Sequence, residues 1–244
     1  MAEDDSSMPP LRPLRPGGGA NAMMSNPMHF ACLHKDLKGI KELIGNGFIN
    51  DRSVNALDLD GTALMWAVRG TAKTAEEDAI IAEIAQLLID KGAAVNATEQ
   101  FTTSPLHLAV IEASGVPKYR TIKTLLDAGA DLHQKDENFR YTPLHWAVVC
   151  GTLEVVELLV ERGASAITRN KKKQGAVEDA EDRLHRYRVG KDLVGWWHLT
   201  DEEKAAKIAE QEKIFLLLQE RDGHAMDAAV CFRMPAMLPR ALSR

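Results

Sequence analysis

The chain is poor in the residue types that mark disulfide-bonded, metal-bound or membrane-spanning proteins. Its 3 cysteines, Cys32, Cys150 and Cys231, are too few and too scattered for a disulfide framework or a zinc site. No segment approaches the ~18 consecutive apolar residues of a membrane helix, and the N-terminus lacks the apolar run of a signal peptide. We therefore expect a protein of a reducing compartment, the cytoplasm or alternatively the nucleus, with no metal, no cofactor and no membrane contact.

A net positive charge is also lacking, and aromatic side chains are scarce. The formal net charge is −5 at pH 7, so the chain shows no bulk basicity of the kind that draws a protein to nucleic acid. Aromatic residues make up 5% of the chain, whereas hydrophobic residues make up 45%. The composition therefore favours a substantial core of small side chains and closely packed helices, and it disfavours nucleic acid as a partner.

What the chain does contain is one motif written four times. The clearest copy opens with Tyr141-Thr142-Pro143-Leu144-His145-Trp146-Ala147 and closes with Gly163-Ala164. The openings of the four copies begin at Asn26, Thr62, Ser104 and Thr142, and the closings fall at Gly47, Gly92, Gly129 and Gly163. A weaker fifth copy opens at Gly175 and runs towards Leu217 and Leu218.

Each part of the motif has a mechanical role in a pair of helices. Thr142 can cap the first helix, and Pro143 suits its first turn, where the missing N–H has no partner to lose. The apolar residues that follow recur at helical spacing and predict one buried stripe per helix. Gly163 can end the second helix in the left-handed conformation that other residues resist.

Recurrence at about 33 residues of a Thr-Pro-Leu-His opening and a Gly-Ala close resembles the ankyrin repeat. This resemblance implies an all-α fold, a solenoid of stacked helix pairs with hairpin-like fingers. We predict about five units, near residues 25–60, 61–102, 103–140, 141–174 and 175–222, the last a modified cap within an ankyrin-repeat domain at 25–222. A disordered Pro/Arg/Gly-rich tail at 1–24 and a C-terminal tail at 223–244 flank it.

The chain offers no convincing catalytic residues. His29, His107 and His145 fall at one repeat position, where the resemblance implies imidazole hydrogen bonds to backbone and to the capping hydroxyl rather than a metal site. Cys150 lies near His145 in sequence, but nothing supplies the third group that would orient the imidazole as a base. We therefore expect a non-enzymatic protein.

The resemblance places function on a surface. In ankyrin proteins the finger tips and the exposed ends of the first helices grip a partner protein across a concave face. The corresponding finger residues here are Leu59, Asp60, Gln100, Phe101, Asn138, Phe139, Tyr141 and Asn170 to Lys173, and the helix residues are Leu33, His34, Arg69, Ile111, Glu112, Val149 and Cys150. We predict that Phe101, Phe139 and Tyr141 are exposed anchors for a partner, with rings folded onto their own repeats as the alternative. The chain is expected to be a monomer in isolation.

Insertions supply a second candidate surface. Units two and three are longer than unit four, which predicts extra chain between their first and second helices. The fifth unit carries an insertion near 181–201 that contains Arg183, Arg186, Arg188, Lys191, Trp196 and Trp197. This segment either covers the end of the solenoid or, in the alternative function, is the binding surface of a regulatory or inhibitory subunit.

One asparagine resembles a modification site. The stretch 87–96 is similar to the ankyrin sequence that asparaginyl hydroxylases accept, with Asn96 at the position of the modified residue. The alternative is that Asn96 shapes its finger through hydrogen bonds between its side chain and the backbone.

Overall fold

The computed structural model describes residues 27–51, 53–57, 61–99, 103–111, 116–150, 152–189 and 199–221. Within these ranges the chain forms helices and no β-strand. The helices are α1 (Pro27–Leu33), α2 (Leu37–Gly45), α3 (Ala63–Arg69), α4 (Ala75–Asp90), α5 (Pro105–Ile111), α6 (Tyr119–Asp127), α7 (Pro143–Cys150), α8 (Leu153–Glu161), α9 (Ala176–Val189) and α10 (Asp201–Arg221). The two tails of the sequence lie outside the described residues.

The helices stack as five consecutive pairs. Each odd-numbered helix contacts the even-numbered helix that follows it. The odd-numbered helices also contact one another in sequence order, and so do the even-numbered helices. One apolar core runs through the whole stack, from Met28 in α1 to Leu218 in α10. The predicted all-α solenoid of helix pairs is therefore confirmed, and the division into five repeat units stays an interpretation of these pairs.

Short, almost fully buried first helices hold the stack together. All residues of α5 except Ile111 are buried, as are all residues of α7 except Cys150. Such helices tolerate few polar residues, because each is covered by its own second helix and by the first helices on either side. Pro105 and Pro143 begin α5 and α7, at the position where a missing N–H costs nothing.

Glycine ends the second helices as the motif predicts. Gly92, Gly129 and Gly163 have φ values of 82°, 85° and 95°, a region that favours a residue without Cβ. The amide of the following residue donates back into the helix, as from Ala164 to the carbonyl of Leu159 at 2.9 Å. These turns release the chain towards the next unit.

The prediction that extra chain enters between the two helices is confirmed for unit three, where α5 ends at Ile111 and α6 begins only at Tyr119. It is wrong for most of the extra chain in unit two. In unit two most of the extra chain lengthens the second helix itself, since α4 has 16 residues whereas α6 and α8 each have 9. In the fifth unit the first part of the predicted insertion, 181–189, continues α9. Extra residues with helical propensity extend a helix because each added residue gains a backbone hydrogen bond without a new nucleus.

Unit two also supplies the N-terminal cap of the second helix in unit three. The buried carboxylate of Asp78 in α4 accepts hydrogen bonds from the backbone N–H of Arg120 at 2.8 Å and from the Thr121 hydroxyl at 2.7 Å. Lys118, fully buried at the start of α6, donates from Nζ to the carbonyl of Val68 at 2.6 Å. The charged groups thus tie α6 to both helices of the preceding unit.

Candidate partner-binding surface

The histidines of the motif belong to the scaffold. His107 Nδ1 lies 2.8 Å from the Ser104 hydroxyl, and His145 Nδ1 lies 2.7 Å from the Thr142 hydroxyl. Both rings are fully buried. Burial lowers the pKa of both imidazoles, to about 4 for His145. The predicted structural role is confirmed for these two histidines.

The histidine position of the motif accepts a hydrogen bond at the start of the first helix even in units where the residue is not histidine. In units two to five the residue before the first helix donates its backbone N–H to a side chain three residues later. The acceptors include Met65 Sδ from Thr62 at 3.4 Å, His145 Nδ1 from Thr142 at 3.2 Å and Glu178 Oε2 from Gly175 at 2.9 Å. This bond is one half of a capping box, and in unit two the Thr62 hydroxyl completes the box by accepting from the backbone N–H of Met65 at 3.4 Å. Glu178 therefore stands in the fifth unit where His145 stands in the fourth.

The loop between units three and four, residues 136–141, is called here the Asp136 finger. Asp136 is buried, and its carboxylate accepts hydrogen bonds from the backbone N–H of Phe139 and from Nε1 of Trp146, both at 2.7 Å. The backbone N–H of Asp136 donates to the carbonyl of Tyr141 at 3.0 Å and closes the loop. Arg140 reaches a φ of 55° within the turn, and its side chain is exposed.

The prediction of an exposed Tyr141 is wrong. Only 6% of Tyr141 is exposed, and its ring is stacked 5.3 Å from His145 and lies edge-on 5.3 Å from Trp146. Phe139 is half-buried, with its ring 5.9 Å from Trp146. Both rings remove apolar surface from water by covering the indole. Tyr141 thus folds onto its own repeat, the alternative stated above, and Phe139 folds onto the first helix of the next repeat.

The loop between units four and five, residues 170–174, is called here the Asn170 finger. The buried Asn170 accepts at Oδ1 from the backbone N–H groups of Lys172 at 2.8 Å and Gln174 at 3.0 Å. Its Nδ2 donates to the Asp179 carboxylate at 3.1 and 3.2 Å. Burial raises the pKa of Asp179 to about 6, although the Asn170 amide opposes the shift. The loop exposes the side chains of Lys171, Lys172 and Lys173.

The predicted helix-end residues fall into three groups. His34 is exposed, and its ring lies 4.2 Å from that of Phe30. Leu33 and Ile111 are half-buried against the core, and Arg69 pairs with Glu99 at 2.5 Å while lying 4.9 Å above the Trp66 ring. Val149 is only 9% exposed, so the prediction that it contacts a partner is wrong, because it packs inward with the rest of α7.

Several predicted residues lie outside the described part of the chain. They are Leu59, Asp60, Gln100, Phe101, Glu112, Lys191, Trp196 and Trp197. Of the predicted finger residues that are described, Asn138 is exposed, and so are the three lysines between Asn170 and Gln174. Sequence reasoning missed Arg140, which is exposed in the Asp136 finger.

Three arginines of the fifth unit are engaged within the protein. Arg186 pairs with Asp182 at 2.6 Å, and Arg188 pairs with Glu212 at 2.6 Å. Arg183 lies 5.1 Å above the Tyr187 ring and donates to its hydroxyl at 3.1 Å. These contacts neutralise or cover the charges that the sequence presented as a basic surface.

Asn96 is exposed and hydrogen-bonded to the next unit. Its Nδ2 donates to the carbonyl of Gly129 at 3.1 Å, and its Oδ1 accepts from the backbone N–H of Asp131 at 2.8 Å. Asn55 makes the same pair of bonds one unit earlier, to Gly92 and Ala94. The side chain therefore bonds to backbone, as the alternative proposed, but it joins two units instead of shaping one finger.

No metal site or membrane helix is evident in the described part of the chain. Among the described residues, no group of three or more His, Cys, Asp or Glu side chains could hold a metal ion. None of the described helices combines the length and the apolar character needed to cross a bilayer. The thiol of Cys150 donates to the carbonyl of Ile111 at 3.7 Å.

Comparison with known proteins agrees with this geometry. Residues 73–170 match the family model for ankyrin repeats (3 copies), a segment that contains α4 to α8. The chain is 28% identical over 240 residues to the tyrosine-protein kinase Shark of Drosophila melanogaster, covering 93% of this chain and 23% of that protein. It is 26% identical over 144 residues to the tyrosine-protein kinase HTK16 of Hydra vulgaris, covering 59% of this chain and 17% of that protein. The chain thus spans less than a quarter of the length of either relative. The family match, together with the repeated helix pairs, their caps and their glycine turns, shows that the chain is an ankyrin-repeat protein.

Proposed function

We propose that this chain is a non-enzymatic module that binds a partner protein through the face formed by its fingers and the neighbouring ends of its first helices. Ankyrin repeats are general protein–protein interaction modules. The proposed contact residues among those described are His34, Arg69, Ile111, Asn138 and the exposed edge of Phe139. Leu59, Gln100, Phe101 and Glu112 continue the same face in the sequence.

The observation that carries the proposal is the rigid construction of the fingers. Buried Asp136 binds a backbone N–H of its own loop and the indole of α7, and buried Asn170 binds two backbone N–H groups of its loop. The backbone that carries the exposed side chains is therefore fixed before a partner arrives, which lowers the entropy cost of binding.

The kinase activity named for the two relatives is not part of the proposal. Both relatives are more than four times as long as the matched region, since the chain covers 23% and 17% of them. Among the described residues, His107 and His145 come nearest to the side chains of a catalytic site. Both are buried beside a helix-capping hydroxyl, and the pKa of each imidazole is lowered. We therefore place this chain among recognition modules.

Binding through the basic Trp segment of the fifth unit has less support. Arg183, Arg186 and Arg188 already contact Tyr187, Asp182 and Glu212. Displacing these contacts would offset part of what a partner gains. Trp196 and Trp197 remain the sequence argument for this alternative.

A pair of tryptophan substitutions tests the proposed face. Asn138→Trp places a bulky ring on an exposed finger tip, and Glu157→Trp places the same ring on the exposed side of α8, a second helix. Quantitative affinity capture from native cells should lose its bound proteins with Asn138→Trp and keep them with Glu157→Trp. Equal capture by both variants would contradict the proposal, and loss with Glu157→Trp alone would move the binding site to the second helices.

A further inference from the structure

We infer that the two fingers together form a cationic docking surface for an acidic, extended segment of the partner protein. The surface, called here the cationic finger patch, consists of Arg140, Lys171, Lys172 and Lys173. All four side chains are exposed. The inference rests on the proposed function, because it names the chemistry of the partner that the fingers would recognise.

The backbone brings the four side chains together. The backbone N–H of Lys171 donates to the carbonyl of Phe139 at 2.9 Å, so the Asn170 finger lies directly against the Asp136 finger. Arg140 and Lys173 each occupy the left-handed turn position of their finger, with φ values of 55° and 63°. Asn170 fixes the turn from within, and the lysines therefore project from a hydrogen-bonded loop.

The carboxylates beside the patch are already committed. Asp136 accepts from Phe139 and Trp146, and Glu178 accepts from Arg169 and from the backbone of Gly175. Asp179 is bound to Asn170. Within the described part of the chain no carboxylate lies in ion-pair distance of the four patch cations. Glu137 is the exposed acid of the same finger. The carboxylates keep their negative charge, and Asp179 and Lys172 attract each other, but the four cations outnumber Asp136, Glu137 and Asp179, since Glu178 pairs with Arg169. The patch is thus net positive on a chain whose formal net charge is −5.

Charge and shape together favour a peptide over the other polyanions. Proteins that bind single-stranded nucleic acid combine cations with exposed aromatic rings on which bases stack. Here Tyr141 is buried and Phe139 is half-buried under the finger. A chain of net negative charge also repels the long phosphate array of a nucleic acid or an anionic bilayer outside a small patch. A short run of Asp or Glu presents about as many charges as the patch can meet.

The experiment measures binding of a defined peptide to the intact chain. A fluorescently labelled octapeptide of alternating Glu and Gly is titrated by anisotropy, with its Gln-for-Glu counterpart as the control. We expect the acidic peptide to bind and the neutral one not to bind. Because the contacts are exposed ion pairs, affinity should weaken several-fold as the salt concentration rises from about 50 to about 200 mM.

Two triple variants separate the patch from the overall charge. Lys171→Gln, Lys172→Gln and Lys173→Gln together should weaken binding by about tenfold, as the loss of three exposed ion pairs implies. The matched control replaces Lys73, Lys207 and Lys213, which are exposed elsewhere, by Gln and should change affinity by less than about twofold. Both variants should melt close to the parent, since all the side chains concerned are exposed.

Equal weakening by both variants would overturn the inference, because net charge alone would then explain binding. Retained binding by the finger variant would overturn it as well, and so would tighter binding of a single-stranded RNA octamer than of the acidic peptide in the same buffer. If the acidic peptide fails to bind while Asn138→Trp still abolishes capture of partner proteins, only the cationic chemistry is wrong. The proposed function fails separately, when Asn138→Trp leaves capture intact.

Discussion

In both the Asp136 finger and the Asn170 finger, a buried side chain at the base of the loop forms a hydrogen bond with a residue of the next helix. Donor and acceptor are reversed between the two fingers. In the first, a buried acid at the base of the loop accepts from Trp146 on the helix that follows. In the second, a buried amide donates to Asp179, which holds the position in α9 that Trp146 holds in α7. Donor and acceptor have changed sides, and the loop is still closed on the next helix. The repeat therefore specifies that a bond is made at this place, without specifying which residue types make it.

The exchange changes what each finger shows to solvent. The indole of Trp146 is largely apolar, so Phe139 and Tyr141 cover it, and Tyr141 is lost as an exposed anchor. Asp179 needs no apolar cover, and its finger carries exposed lysines instead. The cost is a half-buried carboxylate with a raised pKa. The two contacts consequently differ in apolar burial and in their response to acid, and each difference can be tested.

The largest effect should come from removing the indole of the Asp136 finger. Trp146→Ala takes away a side chain that is 5% exposed, leaves a cavity under Phe139 and Tyr141, and leaves Asp136 without one donor. We expect a loss of roughly 3–5 kcal/mol in the free energy of unfolding, measured by urea denaturation. Phe30 holds the same repeat position in unit one and is 49% exposed, so Phe30→Ala should cost about 1 kcal/mol. Similar losses at both positions would show that the finger adds little to the packing of Trp146.

The next effect is a loss of stability in acid that originates in the fourth unit. His145 has a pKa of about 4 in the fold and 6.5 as an ordinary imidazole, so the unfolded chain takes up a proton first as the pH falls. Stability present above pH 6.5 is therefore lost as the pH falls towards 4, by about 2 kcal/mol between pH 7 and pH 5. His145→Gln, which keeps an acceptor for Thr142, should reduce the measured difference between these pH values. An unchanged difference would place the acid sensitivity elsewhere.

Asp179 should act in the opposite direction. Its pKa is about 6 in the fold and 3.8 as an ordinary carboxyl, so the folded chain takes up a proton first. This group gains stability as the pH falls from 7 to 5 and loses it as the pH rises, by about 1 kcal/mol. Asp179→Asn keeps an oxygen for Asn170 and removes the half-buried charge. The variant should be more stable than the parent at pH 7 by about 1 kcal/mol, and it should lose more stability than the parent on acidification.

That pair of expectations is checked by unfolding both proteins at pH 7 and pH 5. A variant less stable than the parent at pH 7 would mean that the ionised carboxylate contributes more through Asn170 than its burial costs. Asp136 is the acid with which Asp179 is compared, because the buried carboxylate of Asp136 accepts from two separate donors, Phe139 and Trp146.

The sequence predicted what local rules decide. Caps, helix starts and the closing glycines follow from short-range patterns, and the structural histidines follow from their shared repeat position. The orientation of Tyr141 was predicted wrongly, because it depends on the indole of Trp146 and on Asp136, which meet only when the loop folds back. The length of α4 and the cap that Asp78 gives to α6 likewise involve neighbouring units, and a repeat motif read one copy at a time does not contain them.

The smallest effect concerns Asn96, which joins units two and three as Asn55 joins units one and two. Asn96→Ala removes two exposed hydrogen bonds, to Gly129 and Asp131, and should cost about 1 kcal/mol in the free energy of unfolding. Asn55→Ala is the matched control and should cost a similar amount.

We also propose that Asn96 is a substrate for asparaginyl hydroxylation. We do not expect Asn55 to be one, although it makes the same hydrogen bonds. A hydroxylase must draw the side chain away from Gly129 and Asp131, and the exposure of Asn96 makes this local opening inexpensive. Peptide mass measurement on protein from native cells should then show one added oxygen at Asn96 and none at Asn55. If both peptides keep their unmodified mass in cells that contain such an enzyme, Asn96 serves only to bridge the two units. Modification of both residues would instead show that exposure, and not the sequence around Asn96, selects the site.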